Sequence, residues 1–169
     1  MEIIIEGCDG VGKTTLVNKL KKHYNIDSMH ITSKDPNNYK FYKQLLKKKD
    51  IIYDRHFIGE MIYPSIFNRK QKLSNHKFKK LLKYCRKHNI KIIILTTSDS
   101  IISQRLYERG NEHIKILQNI HDINLQFKNI AKKYNIEIID TLEVNTRTIY
   151  KWLENKLWYM KILMNVIKI

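Results

Sequence analysis

Eight consecutive residues, Gly7-Cys8-Asp9-Gly10-Val11-Gly12-Lys13-Thr14, constrain this chain more than any other feature. They satisfy G-x-x-x-x-G-K-[ST], follow a short apolar run (Glu2 to Glu6) and open a stretch of helical period (Gly12 to Tyr24). Strand, glycine-rich turn and helix in that order let backbone N–H groups converge on phosphate oxygens, with the positive end of the helix dipole behind them. The phosphate-binding set expected from the run is Gly7, Asp9, Gly10, Val11, Gly12, Lys13, Thr14 and the adjoining Thr15. Lys13 is expected to reach the β- and γ-phosphates, and the Thr14 hydroxyl to hold Mg²⁺. Cys8 reads as a small apolar residue of the loop.

The rest of the chain repeats the strand-then-helix alternation. Ile51 to Asp54, Lys91 to Thr97 and Ile136 to Asp140 are short, Ile-rich and bounded by polar residues, with Ser28 to Thr32 a weaker fifth strand. Between them lie helical stretches at Asn38 to Lys48, Ser74 to His88, Asp99 to Arg109 and His113 to Tyr134, and a last one from Asn145 to about Asn165. Such alternation predicts an α/β fold, a five-stranded parallel sheet with helices on both faces. At 169 residues, with no repeat and no Gly/Ser/Pro-rich linker, one domain over 1–169 is expected. Ligands in such sheets sit beyond the carboxyl ends of the strands.

One of those ends carries a second charged pair. Asp54 closes the strand Ile51 to Asp54, where a carboxylate can hold Mg²⁺ beside the cradle, and Arg55 follows at once. A metal carboxylate next to a guanidinium suits a phosphoryl transfer between two substrates, which must be gathered at one point.

These residues resemble the thymidylate kinase family and its short deoxynucleoside monophosphate kinase relatives. Glu6 to Thr15 looks like the family's cradle, Asp54-Arg55-His56 with Tyr63 looks like its DR[YHW] motif and following helix, and Thr32 to Pro36 is a degenerate echo of its TREP segment. The resemblance implies a P-loop kinase fold with a small lid, over about residues 105–113. It also implies an ATP- and Mg²⁺-dependent enzyme that phosphorylates a deoxynucleoside monophosphate, dTMP first among them. It implies that Asp9 touches the sugar or metal region, that Arg55 clamps the acceptor phosphate, and that Tyr63 lies near the sugar and disfavours a 2′-hydroxyl. The family's Ser and Gln after the motif stand here as Gly59 and Pro64, and the segment that supplies its stacking ring and base-reading Arg is short. Phe41 and Tyr42 are the rings available to replace it. A homodimer is implied by the family alone.

Arg105 and Arg109, four residues apart, share a helical face in the segment where such kinases carry the lid. Like charges so placed repel unless an anion lies between them, and a triphosphate is such an anion. The residue after Asp9 is Gly10 rather than Arg, so the catalytic cations expected are Lys13, Arg55 and the lid arginines.

A nucleoside kinase is the close rival, with Asp35 as the base that takes the 5′-hydroxyl proton; Asp35 is therefore an acceptor-site candidate with Asp9, Phe41, Arg55 and Tyr63. A GTP-dependent switch lacks its N-K-x-D and D-x-x-G motifs. The formal charge of +16 suits a polyanion, but a Lys/Asn/Ile-rich chain with five Gly and two Pro is also what an AT-rich genome encodes. The expected partners are therefore ATP and a deoxynucleoside monophosphate, with no specific nucleic acid and no membrane. Two cysteines far apart, and no apolar leader after Met1, lead to the expectation of a cytoplasmic protein.

Overall fold

The computed structural model describes residues 1–110, 114–143 and 145–154. Five parallel strands, β1 (Glu2–Gly7), β2 (Asp27–His30), β3 (Ile51–Asp54), β4 (Lys91–Thr96) and β5 (Glu137–Asp140), lie in the order β2-β3-β1-β4-β5. Seven α-helices are described, with one 3₁₀ turn (Gly59–Met61): α1 (Lys13–Tyr24), α2 (Tyr39–Leu45), α3 (Tyr63–Ile66), α4 (Asn75–Lys87), α5 (Asp99–Glu108), α6 (Ile114–Gln118) and α7 (Ile120–Tyr134). A further helical run covers 146–154.

Successive side chains of a strand point to opposite faces, and Ile3, Ile4 and Ile5 of β1 are all fully buried, so both faces of the sheet are covered. Helix α1 packs on β1, β2 and β3, while α7 packs on β4 and β5. The chain moves from one side of β1 to the other between β3 and β4. The carboxyl end of β1 is thus the switch in strand order, where a crevice forms. Register sharpens the point: Ile5 pairs with Asp54 and Gly7 with Leu95, bringing three strand ends together at the glycine-rich turn.

The expected strands and helices are present, with two local differences. The stretch expected as one helix from His113 to Tyr134 divides at Asn119, whose Nδ2 donates to the Lys115 carbonyl at 2.8 Å and whose backbone leaves helical geometry. The segment after Asp54 forms the 3₁₀ turn and α3, which are too short to leave a periodic signal. Residues 111–113 of the expected lid and 155–165 of the expected last helix lie outside the described residues. Among the described residues no helix is long and apolar enough to cross a membrane.

With five glycines in the chain, left-handed backbone positions fall mainly to Asn25, Asn37, Asn68, Asn89, Asn135 and Asp50, the residue types that tolerate them best. The exception is Arg55, at φ 71°. Neither Asn nor Asp would supply a cation there, so the strained position points to the side chain as its reason.

Candidate active site

The turn between β1 and α1 winds through positive φ at Gly7 (140°), Gly10 (84°) and Gly12 (99°). Lys13 begins α1 and is buried; its Nζ donates to the carbonyls of Gly7 (2.9 Å) and Cys8 (2.7 Å) and lies 3.9 Å from Asp9 Oδ1. Burial pulls the ammonium's pKa down, partly opposed by Asp9. A buried cation held by two carbonyls and one carboxylate 3.9 Å away gains from a further anion beside it. Val11 is fully buried and anchors the loop, and Thr15 is exposed. Burial pushes the Cys8 and Cys85 thiols up to about 12, so both are inert small residues here.

Thr14 and Asp54 meet as the sequence led one to expect. Thr14 Oγ1 donates to Asp54 Oδ2 at 2.7 Å, and His30 Nδ1 lies 3.0 Å from the same oxygen. The other oxygen, Asp54 Oδ1, is buried without a hydrogen-bond partner. One hydroxyl and one carboxylate with an orphaned oxygen fit Mg²⁺, which takes one or two protein oxygens and completes its shell with water and substrate phosphates. No group of three His, Cys, Asp or Glu converges among the described residues, so a metal held by protein ligands alone is not the pattern here.

Arg55, turned back by its left-handed backbone, donates from Nη2 to Asp9 Oδ1, and its buried Nε has no hydrogen-bond partner. Tyr63 donates its hydroxyl to the other oxygen, Asp9 Oδ2, at 3.2 Å. Burial, and then the Asp9 charge, hold the Tyr63 phenol well above its ordinary pKa, so it stays a donor. Asp9, Arg55 and Tyr63 thus form one hydrogen-bonded group beside the cradle. They line a cavity of about 710 Å³, within the size range of small-molecule sites. The cavity wall also includes Glu6, Tyr42, His56, Glu60, Phe67 and Arg69.

Three expected residues sit differently. Arg105 reaches the cradle, Nη1 donating to the Gly10 carbonyl at 3.2 Å, whereas Arg109 is the exposed C-cap of α5. Asp35 accepts from the Thr32 N–H (2.7 Å) and hydroxyl (2.9 Å), and the cavity wall at that loop is Ile31, Thr32, Ser33 and Asn37. Phe41 is half-buried on α2; Tyr42 and Phe67 join Tyr63 and His56 as rings on the cavity, Tyr42 with its hydroxyl bonded to Asn37.

Sequence reasoning missed Glu60, Phe67 and Arg69, and it gave Glu6 and His56 no role beyond membership of their motifs. Glu6 is buried and accepts the backbone N–H groups of His56 and Ile58, each at 2.9 Å, so one side chain of β1 fixes the loop that carries Arg55. Burial raises its pKa against those hydrogen bonds. A Glu inside an otherwise apolar strand was the available signal.

His56 is buried among Tyr42, Tyr53 and Phe57, and neither ring nitrogen has a hydrogen-bond partner. Burial drops its pKa to about 3 from 6.5. Above 6.5 neither state holds the proton. Below it the unfolded chain takes the proton and the folded chain does not, so stability falls by up to about 1.4 kcal/mol per pH unit until pH about 3. Urea titrations at pH 7 and pH 5 should therefore differ by about 2 kcal/mol from this group, and His56→Phe should remove that difference. An unchanged pH dependence in the variant would show that His56 is not the responsible group.

The fold is that of P-loop kinases. YorR from Bacillus subtilis, solved in complex with phosphorylated GDP, superposes with a TM-score of 0.77 at 20% identity, over 98% of each chain. Deoxyadenosine kinase from M. mycoides, solved with dCMP and a flexible dCDP, gives 0.61 at 17% identity over 93% of this chain and 98% of that one. Shikimate kinase from Acinetobacter baumannii in complex with shikimate gives 0.55 at 15%, over 95% and 94%. At such identities the likeness is one of fold. No curated protein matches the sequence. The model of one family, novel STAND NTPase 3, matches residues 2–142, from the first strand past the last. With the glycine-rich cradle, Lys13 and the Thr14–Asp54 pair inside that match, the chain belongs to the novel STAND NTPase 3 family.

Proposed function

We propose that this chain is a kinase that transfers the γ-phosphoryl group of ATP to a deoxynucleoside monophosphate, dTMP being the first acceptor to test. The observation that carries this reading is the shared wall between cradle and cavity: Asp9 belongs to the phosphate loop and also lines the 710 Å³ cavity with Arg55 and Tyr63. Donor and acceptor phosphates are thereby brought together, which is most of what phosphoryl transfer asks of a protein. Thr14 and Asp54 would hold Mg²⁺, which when bound would supply neutralisation of charge on the transferring phosphate.

The chain's own groups have distinct tasks. Lys13 and the loop N–H groups bind the donor phosphates. Arg55, with its unpartnered Nε, receives the acceptor phosphate, and Tyr63 excludes a ribose hydroxyl. Arg105, already on the loop at Gly10, stabilises the charge that spreads over the transferred group. Arg105→Ala should lower kcat ~10²-fold with little change in KM for ATP, while Arg109→Ala should do far less. Equal effects of the two substitutions would mean that the lid segment, rather than Arg105, carries the charge. Arg55→Ala should raise KM for the acceptor much more than for ATP, since a guanidinium clamp serves one partner's phosphate.

The test is a panel of dTMP, dUMP, dGMP, dCMP, dAMP, UMP and thymidine under the same ATP and Mg²⁺, with products read by chromatography. A deoxynucleoside monophosphate should be by far the best acceptor. Thymidine outrunning every monophosphate would overturn the acceptor assignment in favour of a nucleoside kinase. ATP consumption unaffected by every acceptor would replace transfer by plain hydrolysis.

A further inference from the structure

The acceptor cavity holds a second ion pair that the phosphotransfer reading leaves unused. Glu60, on the 3₁₀ turn, has its carboxylate almost wholly buried, 1% exposed, and meets Arg69 edge to edge: Nη1 to Oε1 at 3.0 Å and Nη2 to Oε2 at 2.7 Å. The Lys72 N–H adds a third bond, at 2.8 Å to Oε1. Arg69 is 30% exposed and its own N–H caps Pro64 at 3.0 Å. Both side chains line the cavity, as do the rings of Tyr63 and Phe67, whose centroids are 6.2 Å apart.

A buried ion pair adds little stability that apolar residues of the same volume would not, so its presence on a ligand cavity asks for another reason. The two arginines of the cavity, each in an ion pair, differ in what they leave unsatisfied. Arg55 keeps a buried Nε–H with no acceptor, a deficit that a phosphate oxygen fills. Arg69 and Glu60 form a formally neutral pair whose bidentate geometry locks the guanidinium plane, which suits an uncharged part of the ligand beside two aromatic rings.

We propose that Arg69, positioned by Glu60, is the base-recognition group of this cavity and selects nucleobases with a keto edge (guanine, thymine or uracil) over the amino-edged adenine and cytosine. This rests on the acceptor reading above. A guanidinium only donates, and with two N–H groups taken by Glu60 its remaining ones can meet only acceptors. Guanine offers two adjacent acceptors, O6 and N7, and thymine offers O4; adenine sets its N6 donor beside N7 and cytosine presents its N4 donor, so at the amino position donor would meet donor. A site built to satisfy a polar edge rejects the analogue that leaves it unpaired by large factors.

The experiment uses the full chain and two readouts. Calorimetric binding of dGMP, dTMP, dAMP and dCMP measures base preference without turnover, and the ATP-dependent rate with each measures transfer. The wild-type protein should bind the keto bases ~30-fold or more tightly than the amino bases. In the double variant Arg69→Met with Glu60→Met, which removes both charges and leaves neither buried alone, that ratio should collapse to within a few-fold, through Kd and acceptor KM rather than through KM for ATP. Glu60→Gln, which loosens the lock and keeps the guanidinium, should give an intermediate ratio. A wild-type ratio near one overturns the proposal whatever the variants do, and so does an undiminished ratio in a double variant shown to be folded by circular dichroism. Keto preference in binding with no transfer to any monophosphate would leave the subsite standing and remove the phosphotransfer reading.

Discussion

Replacing Lys13 by Ala is expected to lower phosphoryl transfer about 10³-fold or more and to leave the fold intact. Both halves of that result follow from where the side chain sits. Its Nζ donates to the Gly7 and Cys8 carbonyls, inside the glycine-rich turn proposed to bind the donor phosphates. Among the described residues no other Lys or Arg holds that position: Arg105 meets the loop at Gly10, and Arg55 is engaged with Asp9. A cation placed where charge develops in the transition state is worth several kcal/mol in a water-poor site. Burial already depresses the Lys13 pKa, so its charge adds nothing to folding and the Ala variant should melt no lower than the parent. Steady-state rates and a thermal midpoint measured on the same preparation test both statements. More than a tenth of the parent rate, or a lower midpoint, would contradict them.

Gly7→Ala is expected to be the most damaging single-methyl change in the loop for stability rather than for chemistry. A Cβ at this position would stand 2.4 Å from the Leu95 carbonyl oxygen and 3.0 Å from Val11 Cγ2, with φ at 140°. The backbone strain costs ~1–3 kcal/mol, and displacing the neighbouring strand to relieve the overlap costs a similar amount again. Together these take a large share of an ordinary domain's stability of ~5–15 kcal/mol. Gly12→Ala provides the contrast. Its φ is 99°, but a Cβ there meets nothing nearer than Arg105 Nη1 at 3.9 Å, so only the strain remains. Urea unfolding of the two variants separates the causes. Equal losses would mean that φ alone matters and that β1 and β4 are not as closely apposed at Gly7 as the structure has them.

Legibility in the sequence followed the range of the interactions. The cradle was readable because its turn, lysine and hydroxyl occur within eight residues directly after a strand, and Asp54 because an apolar run ended on it. Glu60 and Arg69 were not. Their pairing depends on two short turns between them that leave no period, and Arg69 stands in the run Arg69-Lys70-Gln71-Lys72, where nothing sets it apart from its neighbours. Arg105 and Arg109 show the same limit from the other side. Helical spacing put both on one face, but only packing of α5 against the loop decided that Arg105 reaches Gly10 while Arg109, at the helix end, stays exposed. Asp35 and Phe41 were reasonable candidates by type and order, yet the turn at Thr32 occupies the first, and Tyr42, one residue on, takes the cavity-facing position beside the second.

By itself, then, the sequence determined the parallel α/β alternation, the phosphate loop and the identities of Lys13, Thr14, Asp54 and Arg55, because each depends on neighbours a few residues away or on the period of an apolar run. The tertiary structure alone decided the strand order that puts the carboxyl end of β1 between β3 and β4, and the left-handed turn that folds Arg55 back onto Asp9. It also decided which charges and rings share the cavity beside the cradle. Those features arise where segments 40 or more residues apart, such as Thr14 and Asp54 or Asp9 and Tyr63, are pressed together by burial of the isoleucine core between them. The hydrophobic effect that presses them together is non-directional, so the apolar pattern signals that such contacts will form without naming the polar partners they bring into register.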